Sequence, residues 1–178
     1  MMKRRFSILV VYVAAIVITV LGIMIANTLL DRENILDRIT NWPDLQVDTL
    51  DGELVSTTDI LGDKPVILYY FNTECIFCQE TFTDLPNHPE LMKEATLLFI
   101  SDEDPGVISE FITDMGLDGV AEILFYNDSY QQVNDFFAIR GVPAIYLYNK
   151  QGELIDLYNG ATALTKISNE LQEEISSR

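Results

Sequence analysis

The sequence predicts an α/β domain with a central β-sheet of mixed strand direction and helices on both of its faces. Apolar runs of strand length, such as residues 66–71 and 95–101, alternate with segments that carry apolar residues at helical spacing. Turn signals at Asp51-Gly52 and at residues 149–152 each separate two strand-like segments and so indicate antiparallel hairpins. The alternation of strands with helices favours parallel pairs at the centre of the sheet, and the hairpins add antiparallel strands to it.

The predicted elements follow one another with little connecting chain. A hairpin and a brief helical turn ending at Gly62 come first, then a buried strand, a polar break and a helix that ends before Pro86. A later helix has Pro105 in its first turn and ends at Gly116. The predicted strands are 45–50, 53–55, 66–71, 95–101, 122–126, 144–148 and 153–158, and the predicted helices are 57–62, 75–85, 105–115, 128–138 and 164–175. Two helices have predicted buried sides, formed by Val133, Phe136 and Phe137 and by Leu164, Ile167, Leu171 and Ile175.

The segment ahead of the domain, residues 6–30, contains twenty-five residues and no charge. As a helix it is about 37 Å long, which exceeds the roughly 30 Å hydrocarbon core of a membrane. A cleaved signal peptide also begins with basic residues and an apolar run, but its apolar region is usually about 7–15 residues long. Residues 23–26 (IMIA) are moreover a poor cleavage site. We therefore predict one uncleaved transmembrane helix.

Basic residues on the two sides of this segment predict its orientation. Three of them lie at positions 3–5, and Arg32 and Arg38 follow the segment. The excess of basic residues on the N-terminal side is small, and it predicts that the N-terminus lies in the cytoplasm. The predicted organisation is a cytoplasmic tail at residues 1–5, an anchor at 6–30, a charged and partly helical linker at 31–41 and a folded domain at 42–178.

The charge of the chain excludes nucleic acid as a partner. The net charge is −17, from eleven basic and twenty-eight acidic residues. Three of the basic residues and none of the acidic ones lie in the first five positions, so the rest of the chain carries −20. Binding through phosphate neutralisation requires clustered Lys and Arg. An acidic, well-solvated surface is the expected consequence.

The two cysteines of the chain, Cys75 and Cys78, follow the apolar strand 66–71 and the polar break 72–74. A thiol at the start of a helix faces unpaired backbone N–H groups, whose positive potential favours the thiolate. The second thiol lies one helical turn further on, within reach of the first. The spacing therefore predicts a redox-active dithiol that cycles between the reduced form and a disulfide.

The same count argues against other roles for the cysteines. Two cysteines are too few for a disulfide scaffold, and together with the single His88 they fall short of the four ligands of a structural zinc site. We predict no resident metal and no cofactor, and we place His88 in a surface loop. A metal site shared between two chains remains an alternative.

A second motif, Gly141-Val142-Pro143, lies between a helix and the terminal hairpin. Only about 5–6% of X-Pro bonds are cis, which favours an ordinary trans proline at the start of a strand. The order of the surrounding elements favours the cis form instead. A cis Val142–Pro143 bond directs the backbone N–H and C=O of Val142 toward the dithiol helix, where an extended substrate segment can pair with them.

The order of strand, CxxC helix, strand, helix, Gly-Val-Pro, hairpin and helix resembles the thioredoxin fold. The hairpin at Asp51-Gly52 and the segment between the two motifs resemble the TlpA/ResA-type branch of the thioredoxin-like redoxins, and the resemblance covers residues 42–178. Members of that branch are bacterial, single-pass thiol-disulfide oxidoreductases of the cytoplasmic membrane whose catalytic domain faces the periplasm or the outside. The resemblance implies a protein disulfide as substrate and a membrane-bound thiol protein as electron donor.

The resemblance also implies roles for individual residues. Cys75 attacks a substrate disulfide as the thiolate, and Cys78 resolves the mixed disulfide. Val142 and Pro143 complete the active site. The pair between the cysteines is Ile76-Phe77 rather than Gly-Pro or Glu-Pro. Ile76 and Phe77 either contact the substrate or pack against a neighbouring loop.

Two further departures from the family pattern affect the chemistry. Glu74 stands where the family usually has Trp, and its charge disfavours a thiolate at the next residue. We therefore predict a more reducing couple than in strongly oxidising relatives. Tyr69 stands where many thioredoxins carry a buried acid. Glu80 is a candidate for proton transfer to Cys78, or else it faces solvent.

Two other functions compete with disulfide exchange. A peroxidase of this fold has Thr three residues before the reactive cysteine, where this chain has Asn72. Copper-delivery members use CxxxC and a distant histidine, whereas the spacing here is one residue shorter and His88 is close in sequence. The remaining alternative is a redox-inert or metal-carrying, copper-chaperone-like binding module on the same fold.

Overall fold

The computed structural model describes residues 2–120 and 123–176, without the side chains of residues 2–15, 29, 31 and 32. The chain forms two compact units, one ending at Arg38 and one beginning at Ile39. A single helix, α1, runs over Met2–Ile39, so the predicted helical linker continues the preceding helix.

The anchor prediction falls partly outside this description. Within the part of the chain that the structure describes, no helix combines the length and the hydropathy that a membrane crossing requires. The predicted anchor, residues 6–30, includes positions 6–15 and 29, whose side chains are not described.

Seven strands of the described chain form one sheet with the order β2-β1-β5-β4-β3-β6-β7. The pairs β3–β4 and β4–β5 are parallel, and the other four pairs are antiparallel. The predicted sheet of mixed direction is therefore confirmed. The strands are β1 Gln46–Thr49, β2 Leu54–Ser56, β3 Val66–Tyr70, β4 Thr96–Ser101, β5 Ile123–Asn127, β6 Ala144–Tyr148 and β7 Leu154–Asn159. The predicted start of β5, Glu122, lies outside the described residues.

The helices of the domain differ from the prediction at two places. They are α2 Thr57–Ile60, α3 Ile76–Asp84, α4 Pro89–Glu94, α5 Pro105–Asp114, α6 Gln132–Phe137 and α7 Leu164–Ser176, with a 3-10 turn at Leu85–Asn87. Helix α4 was not predicted, because its six residues are too few to show a period. Helix α6 begins four residues later than predicted, since the Asp128 carboxylate accepts hydrogen bonds from the backbone N–H groups of Val133 and Asn134 and so caps the helix from outside it.

The core lies on both faces of the central strands. All five residues of β3 are buried. On one face the ring of Phe82 packs against five other rings at centroid distances of 4.6–6.1 Å, those of Tyr69, Phe71, Phe99, Phe111 and Phe125. Such aromatic pairs each contribute about 0.5–1.5 kcal/mol beyond the burial of their area.

The predicted buried sides of two helices require small corrections. In α7, Leu164, Ile167 and Leu171 are buried, but Ile175 is 46% exposed because the helix extends past the edge of the core at its last turn. In α6, Phe136 is only half-buried, since Val133 and Phe137 occupy the inward side of this short helix.

The strand order brings two loops together at one edge of the sheet. The parallel strands β3, β4 and β5 end at the same edge, where ligand sites of α/β sheets usually lie. Strand β6 runs antiparallel to β3, with Ala144 opposite Tyr70, so the chain entering β6 lies beside the chain leaving β3. The two sequence motifs therefore meet at this edge.

Candidate active site

The first cysteine forms the N-cap of α3. Cys75 is half-buried and has extended backbone geometry, with φ −73° and ψ 112°. Its sulfur accepts a hydrogen bond from the backbone N–H of Cys78, with Sγ and N separated by 3.4 Å. The sulfur thus takes the place that a capping oxygen has in the first turn of a helix. Both cysteines carry free thiols.

The Gly-Val-Pro loop lies against this thiol. The Val142–Pro143 peptide bond is cis, which confirms the prediction. The Cys75 thiol donates to the carbonyl oxygen of Val142 over 3.7 Å, and the next residue, Pro143, is buried. The carbonyl of Pro143 accepts from the N–H of Gly160, which fixes the loop to the end of β7. Cys75 therefore lies between a helix N-terminus and a backbone carbonyl.

The second cysteine has a different environment. Cys78 is 0% exposed, and burial raises the pKa of its thiol to about 12. The hydrogen bond to Cys75 acts in the same direction, whereas bonds to the Asn72 backbone and to the Tyr69 side chain oppose it. At neutral pH the Cys78 thiol therefore keeps its proton.

A pair of hydroxyl groups lies beside Cys78. The Tyr69 hydroxyl donates to Oγ1 of Thr81 over 3.0 Å, and the Thr81 hydroxyl donates to the carbonyl of Phe77 over 3.0 Å. Burial raises the pKa of Tyr69 well above its usual range, so the phenol is neutral. The position where many thioredoxins carry an acid thus holds a neutral donor here.

The residues between the cysteines are exposed. Ile76 is 63% and Phe77 49% exposed, so both present apolar surface next to the Cys75 sulfur. A groove of about 290 Å³ is lined by Phe77, Glu80 and Leu164 among others, and a second one of about 380 Å³ by Ile76, Glu80 and further α3 residues. The two predicted pKa modulators are exposed as well. Glu74 lies in the loop before α3, and Glu80 borders both grooves on a face of α3 other than that of buried Cys78.

A set of contacts that sequence analysis did not predict holds the loop before Cys75. The Glu103 carboxylate accepts from the backbone N–H of Thr73 over 2.6 Å and from its hydroxyl over 2.9 Å. The side-chain amide of Gln79 donates to the carbonyl of Thr73 over 2.7 Å. One available signal was that Glu103 follows β4, which neighbours the strand that leads to the cysteines. The sequence pattern itself indicates only a helix start at residues 102–105.

His88 lies between the 3-10 turn that follows α3 and the start of α4. Its ring nitrogens contact the carboxylates of Asp84, at 3.2 Å, and of Glu90, at 3.0 Å. Hydrogen bonding to Asn87 and to His88 holds the pKa of Asp84 below its usual range. Among the described residues, no group of three or more His, Cys, Asp or Glu side chains has the arrangement of a metal site.

Comparison with known proteins agrees with this geometry. The sequence profile of the AhpC/TSA family, a redoxin family, matches residues 40–160. The chain belongs to the AhpC/TSA family. The chain is also similar to the thiol-disulfide oxidoreductase YkuV of Bacillus subtilis, with 24% identity over 122 residues that cover 65% of this chain and 79% of the relative.

Solved structures show that the fold is shared. A secreted disulfide oxidoreductase of Mycobacterium tuberculosis, homologous to E. coli DsbE, superposes with a TM-score of 0.61 at 19% identity, covering 77% of this chain and 98% of that one. The exposed lipoprotein thioredoxin of Streptococcus pneumoniae superposes with a TM-score of 0.57 at 20% identity, covering 74% of this chain and 99% of that one. The peroxidoxin BcpB of M. tuberculosis superposes with a TM-score of 0.64 at 14% identity, covering 75% of this chain and 94% of that one. The predicted thioredoxin-like fold is therefore confirmed.

Proposed function

We propose that this protein is a thiol-disulfide oxidoreductase that reduces or exchanges disulfides of other proteins through Cys75 and Cys78. The observation that carries the proposal is the asymmetry of the two thiols. Cys75 is half-buried and its sulfur caps α3, whereas Cys78 is fully buried one turn further along the helix. The names of the curated relative and of one superposed structure, both disulfide oxidoreductases, support the same chemistry.

The reaction consists of two exchange steps. The Cys75 thiolate attacks one sulfur of the substrate disulfide, a bond forms between them, and the other substrate sulfur leaves as a thiolate that takes up a proton. Cys78 then gives up its proton and attacks the Cys75 sulfur. The mixed disulfide breaks, and the second substrate thiol is released. The substrate gains two electrons and two protons, and the enzyme is left with a Cys75–Cys78 disulfide.

The substrate site consists of the surfaces around Cys75. An extended segment of the substrate pairs with the backbone of Val142 beside Pro143. Its neighbouring side chains contact Ile76 and Phe77. The exposure of these two apolar residues next to the reactive sulfur supports this role, because an apolar pair exposed in the first turn of α3 is available to a partner.

The finer assignment is to the TlpA/ResA-type branch, tethered to the bacterial cytoplasmic membrane by residues 6–30, with the domain on the periplasmic or extracellular side. The twenty-five uncharged residues and the basic residues at positions 3–5 support it. A membrane-bound thiol protein restores the dithiol after each turnover. Alkaline carbonate extraction and protease treatment of intact and opened cells test the tether. Release of the full-length chain by carbonate would reject it.

The activity is tested by reduction of insulin with dithiothreitol. The wild-type chain accelerates the reaction, Cys75→Ser abolishes it, and Cys78→Ser stops at a mixed disulfide with the substrate. Full turnover by Cys75→Ser would reject the proposal. Hydrogen peroxide is the comparison substrate within the family, and faster turnover of peroxide than of insulin would favour a peroxidase. Stoichiometric binding of copper in a titration would favour the metal-carrying alternative.

A further inference from the structure

We propose that Glu103 is a positioning residue for the nucleophile, because its carboxylate fastens the loop that carries Cys75. The inference deepens the proposed function and rests on it. Glu103 lies in the connection between β4 and α5, twenty-eight positions after the cysteine in the sequence. Nothing about the CxxC motif itself requires an acid at this place.

The carboxylate makes three hydrogen bonds, and two of them reach the active-site loop. It accepts from the Thr73 backbone N–H over 2.6 Å, from the Thr73 hydroxyl over 2.9 Å and from the Ser101 hydroxyl over 3.1 Å. Thr73 is thus held through both its backbone and its side chain, two residues before Cys75.

Further hydrogen bonds of the same loop fix its position relative to α3 and so fix the position of the Cys75 sulfur. Its carbonyl accepts from the Gln79 side chain of α3, and the backbone N–H of Cys75 donates to the carbonyl of Asn72 over 3.2 Å. The loop therefore has little freedom between β3 and α3. The place of the Cys75 sulfur between the Cys78 N–H and the Val142 carbonyl depends on that loop.

Glu103 is itself fixed to the sheet. Its carbonyl accepts from the side-chain amide of Asn127 over 2.6 Å, and its N–H donates to the hydroxyl of Ser101 over 3.3 Å. Asn127 is 3% and Ser101 0% exposed. The ends of β4 and β5 thus hold the carboxylate rigidly enough for it to position another loop.

Helix capping does not account for this carboxylate. The N-cap of α5 is Asp104, and its side chain accepts from the N–H of Gly106 over 2.8 Å. The Glu103 side chain instead points across the sheet edge to Thr73. Two adjacent acids therefore have separate tasks, one for its own helix and one for the loop before the cysteines.

The test compares four variants of the full-length protein. Glu103→Ala removes the clamp, Glu103→Gln keeps an oxygen for the Thr73 N–H and an amide that can donate to its hydroxyl, and Thr73→Val removes one bond from the other side. Glu110→Ala, an exposed acid of α5, is the matched control. The readouts are the rate of Cys75 alkylation by iodoacetamide at pH 7, the equilibrium of the dithiol with glutathione, and the urea midpoint as a check of folding.

We expect Glu103→Ala to slow alkylation of Cys75 at least fivefold and to shift the glutathione equilibrium at least threefold. The reason is that the Cys75 sulfur loses its hydrogen bond from the backbone N–H of Cys78 when the loop is released. Glu103→Gln and Glu110→Ala stay within twofold of the wild type, and Thr73→Val falls between. A folded Glu103→Ala within twofold of the wild type in both readouts would overturn the proposal. A Glu103→Gln variant as slow as Glu103→Ala would also overturn it, since charge rather than bonding would then matter.

Two features keep the test decisive. If Glu103→Ala does not fold, Thr73→Val decides, and alkylation at the wild-type rate would reject the clamp. Insulin reduction by the wild type is measured separately. Its absence would reject the proposed function, while alkylation of Cys75 would still report on the position of the sulfur.

Discussion

At the scale of single residues, the site separates the tasks of its two thiols by burial. The Cys75 sulfur is partly accessible and receives a backbone N–H, which suits attack on an outside disulfide. The Cys78 sulfur is sealed beneath it, which prevents a second substrate from reaching it. Burial also raises the pKa of Cys78, so little of the attacking thiolate is present at neutral pH. The environment of Cys78 therefore controls the lifetime of the mixed disulfide.

The raised pKa of Cys78 predicts an alkaline loss of stability in the reduced protein. The pKa is about 12 in the folded state, from burial, and about 8.5 in an unfolded chain. A group whose pKa is higher in the folded state contributes its full stabilisation at pH values below its pKa in the unfolded state. That stabilisation is lost as the pH rises toward the pKa of the folded state. Above pH ~9, the free energy of unfolding of the reduced wild type should fall by up to about 1.4 kcal/mol per pH unit more than that of Cys78→Ala.

Urea unfolding under reducing conditions between pH 7 and 11 measures this difference. Buried tyrosines that do not interact with Cys78, such as Tyr148, have raised pKa values as well, but they contribute equally to both proteins and cancel in the comparison. Tyr69 interacts with Cys78, so both proteins also carry Tyr69→Phe. Parallel pH dependences of the two proteins would contradict the prediction.

Tyr69 should affect the second exchange step and leave the first unchanged. Its phenol opposes the rise in the pKa of Cys78, and Tyr69→Phe removes the hydroxyl while keeping the buried ring. A neutral hydrogen bond contributes about 1 kcal/mol, so resolution of the mixed disulfide should slow by roughly fivefold. Stopped-flow mixing with a chromogenic disulfide separates the two steps. Tyr130→Phe, at a 70% exposed tyrosine, is the control, and equal slowing of both steps would argue against this role.

At the scale of elements, the first turn of α3 combines the reactive sulfur with an apolar tip. Phe77 is half exposed and borders the groove that Leu164 closes at the start of α7. A partner that covers this groove gains apolar burial next to the bond being exchanged. A small disulfide cannot reach both places at once.

Phe77→Ala should therefore discriminate between substrates of different size. We expect kcat/KM for insulin to fall roughly fivefold, which corresponds to about 1 kcal/mol of lost apolar contact, and kcat/KM for hydroxyethyl disulfide to remain within twofold. Val107→Ala, a 45% exposed residue of α5, controls for loss of surface apolar area in general. An equal decrease for both substrates would mean that Phe77 supports the structure of α3 instead.

Sequence patterns predicted the elements whose causes are local. The apolar runs gave β3, β4 and β6 to within one residue, because strands buried on both faces need continuous apolar residues. The late start of α6 could not be predicted, since it depends on how Asp128 folds back onto the next turn. The Glu103–Thr73 contact joins residues thirty positions apart, and only the strand order brings them together.

At the scale of the whole molecule, charge sets the encounter with substrates. The net charge is −17. The exposed acid Glu74 precedes Cys75, and the exposed acid Glu80 borders the grooves lined by Ile76 and Phe77. A field of one sign accelerates association with partners of the opposite sign and is screened over about 10 Å at 0.1 M salt. The charge thus acts on the rate of encounter with a substrate and leaves the chemistry of exchange unchanged.

This field predicts opposite salt dependences for substrates of opposite charge. Raising the salt from 20 to 200 mM should lower kcat/KM severalfold for a peptide disulfide flanked by lysines, because screening weakens its attraction to the acidic surface. The same change should raise kcat/KM for a glutamate-flanked peptide and leave a serine-flanked peptide within twofold. The double variant Glu74→Gln/Glu80→Gln should weaken the salt dependence of kcat/KM for the lysine-flanked peptide. The control Glu110→Gln/Asp114→Asn, which neutralises two exposed acids of α5, should weaken it less, since α5 does not border the grooves beside Cys75. The same slope for all three peptides would show that the charge of the molecule has no part in substrate selection.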